Sequence, residues 1–377
     1  MKVLIVTGVY PSIMDPSNGI FIHKQVTELK NRGVDIAIME TDLRSLRHKR
    51  TMGFQKEAYE GVEVYRVSFP FGKLASKMRS LCKWISKYYV KKVIDDFGKP
   101  DIIHVHLVES ANDFSEMLNA QSMIPAIVTE HRCLWLDGKK YHDVRRSETK
   151  YVYRAVDRII NVSSVQADYT FKQYGCHPIV IPNYIDNQFK PSNDKHDEKF
   201  KFISVGNFEY RKRFDLTISA FSIFHQKHAN SELLLVGKGG LFDDMKELVH
   251  SLGIDDSVYF CGEVNNKDMN KIYNTADAFV LPSMDESFGI VYAEAVACGL
   301  PIIATDCGGP TDIVTETNGI IVPVGDTDEL VNAMEFVYKN YEQYSPNLMS
   351  NEIFSKFGKD AVISKIMALY EELVDGK

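Results

Sequence analysis

No stretch of this chain is apolar for long enough to cross a membrane as a helix, and no two cysteines stand in a C-x-x-C arrangement. The six cysteines are scattered, at 82, 133, 176, 261, 298 and 307. That argues against a disulfide framework and a zinc site, and fits a reducing cytosol. There is no short-period repeat and no low-complexity tract. No G-x-G-x-x-G follows a strand: the first runs into "TGVYPS" and a later one into "VGKGG", which disfavours a dinucleotide oxidoreductase. Met1-Lys2 leads directly into Val3-Leu4-Ile5-Val6, so no secretory leader is expected and the location is read as cytoplasmic. Acid is missing from one place. Residues 71–93 contain no Asp or Glu, and residues 43–93 hold 13 Lys and Arg against 3 Glu. This +10 segment sits in a chain of formal charge −7, which leaves −17 on the remainder. One basic patch on an acidic protein points to a localised anionic surface as partner, not to nucleic acid.

What is present is ordinary for a soluble protein: 45% apolar and 25% charged residues over 377 positions, too many for one core and enough for two domains. Short β-branched runs alternate with amphipathic helical stretches. The first set of expected strands is Lys2–Thr7, Val34–Met39, Val62–Ser68, Asp101–His106, Ala126–Glu130, Arg158–Val162 and Ile179–Ile181. A polar stretch, "FKPSNDKHDEKF" (189–200), reads as a linker. The second set follows: Lys201–Val205, Glu232–Val236, Val258–Phe260, Ala278–Leu281, Pro301–Ala304 and Ile320–Val322. Continuous apolar strands separated by helices mean parallel sheets covered on both faces. The expected organisation is two doubly wound α/β domains, residues 1–188 and 201–353, with a final helix in 354–377 packing back on the first. In such sheets ligands bind at the carboxyl ends of the strands.

One strand-to-helix passage stands out: "SMDESFGIVYAEAVACGLPIIAT" (283–305). Eight helical steps would set Glu286 and Glu294 about 80° apart around an axis, so a shared helix face is the wrong picture. Glu286 is expected in the loop and Glu294 in the helix that begins near Ile290. The amides of Ser287, Phe288 and Gly289 then cluster at a helix N-terminus, which suits a phosphate. Two carboxylates beside it suit hydroxyls, and a phosphate between two sets of hydroxyls describes a nucleotide-sugar. Taken alone, each glutamate is better explained as a loop acid or a solvated helix residue.

The whole string "ESFGIVYAEAVACGLPIIATDCGGPTDIV" resembles the donor-site signature of the family-4 retaining glycosyltransferases, two-domain GT-B enzymes whose Rossmann-like halves face each other across a cleft. "VYPSIMDPSNGIFIHKQVTELKNRGVDIAI", "DIIHVH", "AIVTEH", "VIPNYIDNQFKP", "VGNFEYRKRFDLTISAF", "LLLVGKGG" and "VYFCGEV" resemble further blocks of that family. The resemblance is thinnest between 40 and 95. It implies that Gly19 faces the cleft, that His131 lies near the donor sugar and acceptor with His106 beside it, and that Val264 lies near the base. It implies that Glu286 positions the sugar, Glu294 holds the ribose, and Ile290 follows the amides in the donor site. In "GNFEYRKRFD" the family pattern has an arginine and then a lysine holding the diphosphate. Lys212 fills the lysine position, but Asn207 replaces the arginine, leaving Arg211 or Arg213 to supply the missing charge.

The expectation that follows is a retaining hexosyltransferase with His131, Lys212 and Glu286 as its catalytic groups. It would move a sugar from a nucleotide-sugar to a glycan, lipid-linked or envelope-polymer acceptor, with no metal and no cofactor. UDP is favoured by its frequency in the family. A nucleotide-sugar epimerase of the same architecture and a silent sugar-nucleotide-binding protein are the alternatives. His104 and His106 share a strand face, but no third ligand has metal-site spacing, and His104 is read as structural. Asp326-Thr327-Asp328 precedes a helical run and is read as a cap. Finally, Leu74, Met78, Leu81, Ile85 and Tyr88 recur at helical spacing in 71–93, giving an expected buried stripe backed by Lys73, Lys77, Arg79, Lys83, Lys87, Lys91 and Lys92. With Trp84, Tyr88 and Tyr89, that basic helix is expected to meet an anionic membrane surface peripherally.

Overall fold

The structure is a computed structural model that describes residues 1–45, 50–74, 77–113, 124–132, 138–192 and 199–376. The chain divides into two compact units, Met1–Ile181 with Ile363–Lys377, and Pro182–Val362. Unit 1 is built on an eight-stranded sheet of β1 (Lys2–Thr7), β2 (Asp35–Asp42), β3 (Gly53–Tyr59), β4 (Val62–Ser68), β5 (Ile102–His106), β6 (Ala126–Glu130), β7 (Arg158–Asn161) and β8 (Ile179–Val180). Their spatial order is β3-β4-β2-β1-β5-β6-β7-β8. Every neighbouring pair is parallel except β3 with β4. Unit 2 holds six parallel strands, β9 (Phe200–Val205), β10 (Ser231–Val236), β11 (Val258–Gly262), β12 (Ala278–Leu281), β13 (Ile302–Thr305) and β14 (Gly319–Val322). They are ordered β11-β10-β9-β12-β13-β14.

The central strands are buried on both faces, as their unbroken Val, Ile and Leu runs require. In both sheets the order reverses beside the first strand of the unit, so the crevice at its carboxyl end is where such folds bind ligands. β1 ends there in Thr7 and β9 ends there in Val205.

The observed β2 starts one residue later and runs three residues further than expected, and β7 ends one residue earlier, but β3 was not expected. "GFQKEAYEGVEVYRV" is a hairpin whose turn holds Glu60 at φ 46° and Gly61 at φ 79°. β3 is an edge strand with no fully buried residue, and its apolar alternation is too weak to distinguish it from loop.

The division between units also departs from the expected boundaries. It falls at 181/182 and 362/363, not after 188 and 353. Within unit 2, the Ile185 N–H donates to Phe357 O at 2.8 Å, and buried Phe189 packs on Tyr273. Ser350 Oγ in the helix Pro346–Phe357 donates to Ala297 O at 2.8 Å. The start of the expected linker is likewise tied to unit 2: the amides of Lys190 and Ser192 donate to Asn270 and Asn274. Residues 193–198 of that linker lie outside the described residues. From Ile363 onward the helix Lys359–Asp375 belongs to unit 1, where Tyr370 is fully buried.

The basic segment is corrected most. The helix there is Arg79–Phe97, preceded by a short turn at Gly72–Leu74. Of the expected buried stripe only Ile85 is buried, whereas Leu74, Leu81 and Tyr88 are 56%, 39% and 56% exposed. The buried face is instead Cys82, Ile85, Val90 and Val93, with Tyr89, Ile94 and Phe97 packed against the core. The apolar C-terminal half of the helix sets its rotation, and residues 74 and 78 precede the helix. Trp84, 63% exposed, stacks on Tyr88 with ring centroids 5.9 Å apart. The side chains of Lys73, Arg79 and Lys83 lie outside the described ones.

Candidate active site

In unit 2 the segment Pro282–Gly289 connects β12 to the helix Ile290–Ala297. Glu286 lies in that loop, pinned through its backbone. Its N–H donates to Cys307 O at 3.1 Å, and its carbonyl accepts from Gly309 N at 2.8 Å. The paired chain must come very close: a Cβ on Gly309 would lie 2.3 Å from Phe288 Cα. This is the physical reason for glycine in "CGGP". Gly289 caps the helix in the left-handed region at φ 82°. The backbone N–H groups of Ser287, Phe288 and Gly289 donate to no other backbone group among the described residues.

Glu286 is buried and ion-pairs with buried Lys212, whose Nζ donates to Oε1. Ser283 Oγ donates to the same oxygen at 3.0 Å. Both partners converge on Oε1, and no described hydrogen bond uses Oε2. Lys212 closes a short turn, Tyr210–Lys212, and is followed by Arg213 at φ 52°. A non-glycine residue in that region is held there at a cost by its surroundings. Met284 N–H donates to Arg211 O at 2.7 Å, stitching this turn to the glutamate loop.

Of the two arginines that could replace the missing cation, Arg211 faces this cluster. It contacts Asp285 at 3.3 Å and Glu209 at 3.1 Å, and the nearby Glu286 carboxylate helps raise its pKa despite burial. Arg213 is committed to Asp215 at 2.9 Å. Asn207 is exposed, 3.4 Å from Glu209.

Glu294 lies within the helix and is buried, so it is not a solvated helix residue. Tyr273 OH donates to its Oε2 at 3.2 Å. Ile290 opens the helix half-buried, and Val264 is half-buried beyond β11. Asp326 caps the helix Thr327–Lys339, accepting from Glu329 N at 3.0 Å.

Unit 1 carries the other expected residues. Gly19, at φ 71°, precedes the helix Ile20–Asn31, and a Cβ there would sit 2.6 Å from Val9 O. His104 and His106 lie on β5 with rings stacked at 4.4 Å. Both ring nitrogens of His104 are partnered, Nδ1 with Tyr370 OH and Nε2 with Thr129 Oγ1, each at 2.6 Å. His106 Nδ1 lies 2.9 Å from His131 Nε2, and the His131 ring lies against Phe21 at 4.6 Å. Burial first, and then the neighbouring rings, lowers the pKa of His104 to about 3 and that of His106 well below the usual value.

The "Glycosyl transferases group 1" family matches residues 186–351, and "Glycosyltransferase Family 4" matches residues 19–189. The chain belongs to the GT-B glycosyltransferases of group 1. It is 30% identical over 186 residues to an uncharacterised glycosyltransferase of Methanocaldococcus jannaschii, a match spanning 48% of this chain and 47% of that relative. It is 25% identical over 363 residues to the putative teichuronic acid biosynthesis glycosyltransferase TuaC of Bacillus subtilis, covering 89% of this chain and 88% of TuaC. Among solved structures, sucrose-phosphate synthase from Thermosynechococcus elongatus matches with a TM-score of 0.81 at 19% identity, over 100% of this chain and 99% of that one. HepE of Anabaena in complex with UDP-glucose matches with a TM-score of 0.73 at 17% identity, over 100% of both chains.

Within this glycosyltransferase, four neighbours of the expected residues carry no expectation from the sequence. Ser283 stands three positions before Glu286 and was visible as a polar residue at a strand end. Gly308-Gly309 was visible as a pair. Tyr273, from the helix Met269–Tyr273, had no local signal, since only the fold brings it to Glu294.

The two buried histidines of the glycosyltransferase make its stability pH-dependent. Their folded pKa values lie below the unfolded value near 6.5, so the folded chain binds fewer protons as pH falls below that value. Their contribution is complete above about pH 6.5 and is lost as pH falls below it, for His104 down toward about pH 3. Unit 1 is expected to lose about 1.4 kcal/mol per pH unit for each ring across that window. Chemical denaturation at pH 7.5, 6 and 5 measures it, and equal stability at all three would contradict neutral buried rings.

Proposed function

We propose that the chain is a metal-independent, retaining hexosyltransferase that uses a UDP-sugar and delivers the sugar to a lipid-linked or envelope-polymer acceptor. The observation that carries the reading is the buried Lys212–Glu286 pair beside the unused amides of Ser287, Phe288 and Gly289. An ammonium has three donors, so Lys212 can keep Glu286 and still meet a phosphate. As the glycosidic bond to the diphosphate breaks, negative charge grows on the leaving group. A preorganised cation and a helix N-terminus stabilise that charge where water is excluded. Glu286 Oε2 then accepts from a donor-sugar hydroxyl, and Glu294 accepts from the ribose. Arg211 stands in for the arginine replaced at Asn207. The acceptor hydroxyl attacks from the face the diphosphate leaves and passes its proton to the departing phosphate oxygen, so configuration is retained.

The UDP preference is supported by the UDP-glucose held in HepE, and the envelope-polymer acceptor by TuaC's name. Incubating the full chain with labelled UDP-sugars and membrane extract in EDTA is expected to give labelled conjugate. Epimerised donor with no conjugate, or dependence on an added divalent ion, would overturn the reading.

An anionic membrane surface is the place where that acceptor is met. The outer face of the helix Arg79–Phe97 offers exposed Leu81, Trp84 and Tyr88, bordered by exposed Lys77, Lys87 and Lys91. Aromatic rings favour the membrane interface, and each lysine near an anionic surface adds about 1 kcal/mol. The chain is expected to float with phosphatidylglycerol vesicles at low salt and to detach as salt rises. A Lys77→Glu, Lys87→Glu, Lys91→Glu variant should stay with the soluble fraction yet keep binding nucleotide. Wild type that never floats at low salt would leave a soluble acceptor as the substrate.

A further inference from the structure

Among the described residues, Ile13 is the most exposed large apolar side chain, at 95%, and its neighbour Met14 is 59% exposed. Both stand at the tip of the loop after β1, and the loop holds them there. Pro11 and Pro16 bracket the tip. The Ser12 N–H donates to Asp15 O at 3.1 Å and the Asp15 N–H to Ser12 O at 3.2 Å, closing a two-residue turn. Below it, Glu40 Oε1 accepts the Tyr10 N–H at 2.9 Å and Arg66 Nη2 donates to Pro11 O at 2.5 Å, both from buried side chains. A turn fixed at tip and base displays its aliphatic pair with little left to order on binding.

The tip is also continuous with the crevice at the carboxyl end of β1. Successive turns, Asn18 N–H to Asp15 O at 3.4 Å and Ile20 N–H to Ser17 O at 3.5 Å, lead into the helix Ile20–Asn31. Ile20 is 38% exposed, and the half-buried ring of Phe21 lies against that of His131, just beyond β6. One short segment thus runs from a ring at the strand ends out to the aliphatic tip.

An aliphatic side chain offers no hydrogen bond to a hydroxyl and gains only by taking hydrocarbon out of water, while a thioether adapts to an irregular chain. A purely polysaccharide acceptor has little to gain from Ile13 and Met14. Two side chains also fall far short of the ~800 Å² per partner of a stable protein interface. A bilayer core fits no better. The Asp15 carboxylate, paired with Arg44 at 3.5 Å, stands directly beside the tip, and burying that pair in hydrocarbon is costly. A single hydrocarbon chain lying along the tip matches both its size and its chemistry.

We infer that Ile13 and Met14 receive the hydrocarbon chain of a lipid-linked acceptor, beside its head group. This selects lipid-linked over polymer acceptors, and that selection rests on the proposed transfer reading. The contact with the chain stands apart from it.

Dodecyl phosphate carrying a diazirine at the chain end, kept below its micellar concentration, is photolysed with the full chain and no donor. The label is expected on tryptic peptide 3–24. An Ile13→Ser, Met14→Ser variant should take up about fivefold less or lower, having lost the apolar contact. Both side chains are exposed, so the variant should keep the thermal midpoint of wild type. With labelled UDP-sugar and membrane lipid extract, the same variant should raise acceptor KM on the order of tenfold, with kcat and donor KM changed less than about twofold. Label confined to the helix Arg79–Phe97, or equal label in the variant, would overturn the inference. Label on 3–24 only when the probe is embedded in phosphatidylglycerol vesicles would overturn it too, by assigning the tip to the bilayer. So would transfer to a delipidated glycan as efficient as transfer to the lipid extract. No transfer from any UDP-sugar would fail the proposed function alone, because the donor-free labelling still decides the contact.

Discussion

Lys212 and Glu286 face each other at the carboxyl ends of the unit 2 strands, where both charges are largely removed from water. Removing ions from water costs several kcal/mol each, and their mutual attraction repays this only with good geometry and further hydrogen bonds. Much of the local backbone can be understood as supplying that geometry. The strained Arg213 turns the lysine inward, Ser283 adds a second donor to the same carboxylate oxygen, and Gly308-Gly309 allows the close chain pairing that pins the glutamate backbone. A pair of this kind is poor evidence of stabilisation, since a packed apolar pair of similar volume often does as well. Under the proposed function it is a charge kept ready for a ligand.

Unit 1 shows the same economy with neutral groups. Its central strands are continuous apolar runs, and polar side chains enter the core where strands end: Thr7, His106 and Glu130. Glu130 is satisfied by backbone amides, which partly offset the rise that burial imposes on its pKa. His104 is satisfied by Tyr370, which the C-terminal helix brings back to unit 1. Buried polar groups that are fully bonded rigidify a site.

The alternation of apolar runs and helical patterns was enough to read two parallel α/β sheets, because central strands have no solvent face to blur the signal. Glu286 in the loop and Glu294 in the helix also followed from the spacing and from Gly289. What could not be read had physical causes. The β3 hairpin has a half-exposed edge strand. The rotation of the helix Arg79–Phe97 was set by Val90 and Val93, beyond the stripe that ended at Tyr88, so Leu81 and Tyr88 of that stripe turned outward while Tyr89 packed inward. Tyr273 and Ser283 meet the glutamates through tertiary folding, and the choice of Arg211 over Arg213 depended on which carboxylate each found nearby.

The claim that Lys212 serves the departing diphosphate more than ground-state binding is tested most directly by Lys212→Met. Donor affinity is measured by calorimetry and transfer by single-turnover kinetics. A group that stabilises charge only as it develops lowers kcat far more than it weakens binding. The account predicts a fall in kcat on the order of a hundredfold with donor Kd changed by no more than about threefold. Unchanged kcat with weakened binding would contradict it and make the lysine an anchor for the ground state alone.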